Sequence, residues 1–144
     1  MIAYVESSGL AMMALRQAGH LELQTRLLAF DEQVCQAVGI IELSSAAARW
    51  IRRTQPTPQY AQSVRESIEE IWRTTTKHAI DDAQIQRAAG LCERYQLRAY
   101  DALHLAAAES LMRIVSSKHM RWFGFDEMQN KAAVAIGLRD GMVV

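Results

Sequence analysis

Three acidic residues at structural junctions constrain what this chain can fold into. Asp101 begins an apolar helical segment that continues Ala102-Leu103-His104-Leu105-Ala106-Ala107-Ala108. Glu6 follows the hydrophobic run Ile2-Ala3-Tyr4-Val5, and Asp126 follows the aromatic run Arg121-Trp122-Phe123-Gly124-Phe125. Both runs read as extended strands. The three acids lie in distant parts of the chain, and a fold of alternating strands and helices can gather them at one place.

The pattern between them is that alternation. After the first strand, Glu6-Ser7-Ser8-Gly9 breaks the run, and either serine can cap a helix over residues 10–18 that Gly19 closes. A second helix is predicted over 20–33, with Leu23, Leu27 and Phe30 on one side. Residues 34–41 read as a second strand and 42–53 as a helix. Pro56 and Pro58 interrupt it, because proline removes a helical hydrogen bond and clashes with the preceding turn. Helical periodicity resumes over 59–72, and Thr74-Thr75-Thr76 favours an extended segment. Asp81 or Asp82 starts a helix through Tyr95, and Tyr100 or Asp101 starts one to about Ile114. Asp126 starts the last, which runs to Ile136 before Gly137. Residues 141–144 read as a short final strand. These elements predict one α/β domain over 1–144 with a mostly parallel sheet and helices on both faces. In such sheets the site lies at the carboxyl ends of the strands, where Glu6 and Asp126 fall.

Each acid also has an ordinary structural explanation. Asp101 suits the positive end of a helix dipole, and Asp126 with Gln129 three residues later has the spacing of a capping box. Glu6 is harder to explain so, since a charge beside a buried strand is costly unless it is paired, exposed or bound to metal. Together the three describe a site for a hard divalent cation, because Mg²⁺ and Mn²⁺ take oxygen ligands from a few carboxylates plus substrate phosphate. His104 reads as packed on its helix face. Arg113, Lys118, His119 and Arg121 cluster just before Asp126 and read equally as a solvated loop or a phosphate-contacting rim.

Composition narrows the partners. Lys+Arg and Asp+Glu balance at 16 each, so the chain is not a general polyanion binder; nucleic acid requires clustered basic residues. Cys35 and Cys92 fit neither a metal spacing nor a secreted disulfide framework, and read as thiols of a cytoplasmic protein. No basic leader precedes Glu6 and no apolar run is long enough for a bilayer, so neither a signal peptide nor a membrane span is expected.

At these residues the chain resembles the PIN domain family, in particular the VapC-type toxins of toxin–antitoxin pairs. The segment Leu97-Arg98-Ala99-Tyr100-Asp101-Ala102-Leu103-His104-Leu105-Ala106-Ala107-Ala108 is similar to the family's wording around its third acid. Phe125-Asp126-Glu127-Met128-Gln129-Asn130-Lys131-Ala132-Ala133, followed by Ile136-Gly137-Leu138, is similar to the segment around the fourth, and Ile2 to Leu10 to the first strand and its turn. The resemblance implies a PIN-like three-layer fold and a metal-dependent endoribonuclease using Mg²⁺ or Mn²⁺. It also implies a homodimer and a cognate antitoxin that covers the site. Glu6, Asp101 and Asp126 would hold the ion. The family's second acid falls on Glu42, or on Ala47 if the start of that helix is aligned differently. Glu6 stands where the family has Asp, and Gly124 where it often has Thr or Ser. These departures keep open an alternative, a catalytically degenerate PIN domain that binds a partner or RNA without cutting.

Overall fold

The computed structural model describes residues 1–143. Its element order is β1 (Ile2–Val5), α1 (Ser7–Ala14), α2 (His20–Leu27), β2 (Glu32–Gln36), α3 (Gly39–Thr54), α4 (Pro58–Thr74), β3 (Thr76–His78), α5 (Asp82–Tyr95), α6 (Ala99–Val115), β4 (Met120–Phe123) and α7 (Glu127–Ala135). The four strands form one parallel sheet in the order β3-β2-β1-β4. Among the described residues no helix is long and apolar enough to cross a membrane.

Alternation along the strands divides the core in two. Ala3, Val5, Cys35 and Phe123 pack against α1–α4 on one face, while Tyr4, Val34, Met120 and Trp122 pack against α5–α7 on the other. Helices therefore cover both faces of the sheet, as an all-parallel sheet requires, and the architecture is a three-layer α/β fold. The stacked rings of Tyr4 and Trp122, 5.4 Å apart, tie β1 to β4 on the α5–α7 side. Helix α6 is buried over most of its circumference; its alanines 102, 106, 107 and 108 let it lie close to the sheet.

The strand order creates the place for a site. From β1 the chain winds outward through β2 to β3, then returns across the sheet to add β4 on the other side of β1. The direction of winding reverses between β1 and β4, which leaves a crevice beyond their carboxyl ends.

Most boundaries follow the sequence reading, and the exceptions have local causes. Helix α1 begins three residues early because Glu6 itself is the cap: its carboxylate accepts from the Ser8 amide at 2.8 Å, so neither serine is the cap. The second strand lies at 32–36 rather than 34–41. Helix α2 ends at Leu27, and α3 starts at Gly39, inside the apolar run. A Cβ at Gly39 would meet Cys35 Sγ at 2.8 Å, so glycine permits that immediate turn into α3. No strand forms over residues 141–143; residue 144 lies outside the described residues. A single bridge joins Asp140 to Trp122 instead.

The edge strand β3 is held by a buried polar chain. The Gln36 amide donates to Gln84 Oε1 at 3.0 Å, and the Gln84 amide donates to His78 Nε2 at 3.1 Å. His78 must accept there, and burial pushes its imidazole below the usual range. A group whose folded pKa is depressed in this way, and whose charged form is the protonated one, binds fewer protons folded than unfolded. Stability from it is present above the ordinary histidine range, near pH 6.5, and is lost as pH falls through that value towards the folded pKa. Chemical denaturation at pH 7.5 and 5.5 should show a larger loss for the wild type than for His78→Gln, which keeps an acceptor and cannot titrate.

Candidate metal centre

Four helices present their amino-terminal turns to the crevice, and each brings one acid. Glu6 caps α1, Glu42 lies in the first turn of α3, Asp101 in that of α6, and Asp126 caps α7 by accepting from the Gln129 amide at 2.9 Å. All four carboxylates line one cavity of about 640 Å³. Helix amino termini carry partial positive charge, so each acid sits where its own helix favours it. Of the two positions left open by the sequence, Glu42 lines the cavity, while Ala47 is buried in the core with residues of α1 and α4.

The acids are held by different partners. Glu6 is 3 % exposed. Its Oε1 accepts from the Ser7 hydroxyl at 2.6 Å, and its Oε2 from the Ser8 amide and hydroxyl. The serines thus brace the carboxylate whose extra methylene would otherwise leave it loose. Asp101 Oδ2 accepts from Arg98 Nε at 2.7 Å, and Arg98 Nη2 lies 4.0 Å from Asp126. Burial pushes the Asp101 carboxyl up; Arg98 opposes that, and the charges of Glu6 and Asp126 add to it.

Beneath the acids lies His104, fully buried. Its Nε2 is 2.6 Å from Glu42 Oε2 and 3.8 Å from Glu6 Oε1, and its Nδ1 is 3.1 Å from the Tyr4 hydroxyl. The sequence reading as a packed helix residue was therefore incomplete. His104 stands three positions after Asp101 on one helix face, a spacing that could have linked it to the site. Glu6, Glu42 and His104 each offer a ligand atom within 4.8 Å of the others and could hold a metal ion.

Two further expectations are corrected. The capping box at Asp126 is only half formed: the Gln129 side chain turns away and donates to the Asp101 carbonyl at 3.1 Å, tying α7 to α6, while its Oε1 is buried with no partner among the described residues. The basic group before Asp126 is not a rim. His119 O accepts from the Ile2 amide, which puts the loop at the amino ends of β1 and β4, away from the acids. The cationic side chains at the cavity are instead Arg49 and Arg98. Gly124 also has a packing reason. A Cβ there would come within 2.7 Å of Asn130 Oδ1, which receives the Trp122 indole N–H at 2.8 Å, and the Asn130 amide in turn donates to the Gly124 carbonyl.

No family model matches the chain, and no curated protein matches it.

The raised carboxyl of Asp101 has a thermodynamic consequence. Between the ordinary aspartate range and its folded pKa the native state holds more protons than the unfolded one, so this residue lowers stability as pH rises through that window. Its contact with the largely exposed Arg98 offsets little of this. In EDTA at pH 7, Asp101→Asn should melt higher than the wild type. The difference should shrink as pH is lowered to about 3, below the ordinary aspartate value.

Proposed function

We infer that this protein is a metal-dependent endoribonuclease of PIN type, the toxin of a toxin–antitoxin pair. The observation that carries the reading is the convergence of Glu6, Glu42, Asp101 and Asp126, from four helix amino termini, on one cavity at the switch point of the sheet. The donor set is oxygen-rich and exceeds the positive charge beside it, which suits Mg²⁺ or Mn²⁺ better than a thiolate-seeking ion. The motif resemblance around Asp101 and Asp126 supports the same reading.

Within it each residue has a task. Glu6, Asp101 and Asp126 hold the ion, with Glu42 as the fourth acid. A bound divalent cation supplies a water of lowered pKa and charge for the phosphate in an in-line displacement. Arg98 and Arg49 line the cavity and would meet phosphates of an RNA strand entering over the acids, and the neutral overall charge would confine attraction to that mouth. Arg98, which pairs with Asp101 here, would have to release that carboxylate for it to serve as a ligand. A second copy of the chain and an antitoxin whose segment fills the cavity complete the assembly that the resemblance implies.

Calorimetry with Mn²⁺ should show saturable binding to the wild-type protein that Asp101→Asn abolishes. Cleavage of a single-stranded RNA should then require the ion and fall by about 100-fold or more in Asp101→Asn, the scale of losing a positioned catalytic group. Mn²⁺ binding without cleavage, or RNA retention without either, would instead mark a degenerate domain that binds but does not cut.

A further inference from the structure

A line of buried side chains runs under the acids from β1 through α6 to α3. The Tyr4 hydroxyl is 3.1 Å from His104 Nδ1, and His104 Nε2 is 2.6 Å from Glu42 Oε2. Tyr4 and His104 are both 0 % exposed, so water supplies neither with an alternative partner. The protons can be assigned from these partners. A carboxylate only accepts, so the hydrogen in the short contact belongs to Nε2. In the neutral ring Nδ1 then carries the lone pair, and the Tyr4 hydroxyl donates into it. Were the ring turned to its other tautomer, Nε2 would set a lone pair against Glu42 at 2.6 Å, and two acceptors repel at that separation.

We propose that His104 is a positioning residue for the metal-binding carboxylate of Glu42, with Tyr4 fixing the tautomer in which it can do so. This rests on the metal-dependent reading of the same cavity. The Nε2–H occupies Oε2 and pins the carboxylate plane. Oε1 has no hydrogen-bond partner among the described residues and is left for the cation. Glu42 needs such a brace more than the other acids do. It lies beyond the capping position of α3 and accepts no backbone amide among the described residues, whereas Glu6 and Asp126 are both fixed by the amides of their own helices. An alternative use of the same atoms has His104 as a ligand through Nε2, which would demand that Nε2 be unprotonated. The two uses differ in where the ring proton sits and in what glutamine can replace.

The test combines long-range ¹H–¹⁵N spectra of the metal-free protein with Mn²⁺ calorimetry on the wild type, His104→Ala, His104→Gln, Tyr4→Phe and Asp101→Asn, each first checked for a cooperative thermal transition. The expected spectrum shows the Nε2–H tautomer for His104. His104→Ala should weaken Mn²⁺ binding by about 10–100-fold, the usual effect of removing a partner that orients a ligand. His104→Gln, whose amide can still donate to Glu42, should recover most of that loss, and Tyr4→Phe should lose less than His104→Ala. An Nδ1–H tautomer, unchanged affinity in His104→Ala, or no rescue by glutamine would each overturn the proposal. If His104→Ala does not fold, the tautomer and the His104→Gln affinity decide it. A wild type that binds no Mn²⁺ overturns the metal reading and this proposal with it. A wild type that binds while His104→Ala binds equally overturns the positioning role alone.

Discussion

The repulsion among four carboxylates facing one cavity is the constraint that the rest of this structure answers. Like charges gathered in one cavity repel, and the more so where burial lowers the effective dielectric. The fold meets this cost with many small contributions. Each acid sits on the positive end of its own helix, two of them accept backbone amides, Arg98 lies against Asp101, and His104 gives a hydrogen bond to Glu42. Asp101 keeps the residual imbalance, visible as a carboxyl that burial and its acidic neighbours hold up.

That arrangement follows from the topology. Parallel strands joined by helices point every following helix away from the carboxyl edge of the sheet, so loops and helix starts collect there. The reversal of winding between β1 and β4 keeps helices on either side of the crevice from closing over it. Gln129 ties two helices of one face together: its side-chain amide on α7 holds the Asp101 carbonyl on α6, linking the helix starts that carry Asp101 and Asp126.

What the sequence made legible was what local physics decides. The strand of residues 2–5 and the helix starts at Asp81 or Asp82 and at Asp126 are written in short-range patterns, and the elements begin there. The three acids of the initial reading do line one cavity because each marks the boundary of an element, and boundaries at carboxyl ends meet. Contacts between remote residues were not legible. His104 looks like one more core residue on an apolar helix, and only the fold shows that Glu42, 62 positions away, stands over its Nε2. The basic group at residues 113–121 failed for the converse reason: it is close to Asp126 in sequence, but the length of β4 separates the two ends. The start of α3 was missed because an apolar run around a glycine has the same pattern as a buried strand and as a helix entry.

The segment that does not become a strand has its own consequence. Trp122 donates to the Arg139 carbonyl at 2.8 Å and its carbonyl accepts from the Gly141 amide at 2.7 Å, so the outer side of β4 is already hydrogen-bonded. At the opposite border β3 is three residues long and carries the exposed Lys77. Short, charged or covered borders deprive another chain of a template for strand addition. The parallel sheet is in this way shielded against edge-to-edge pairing at both borders.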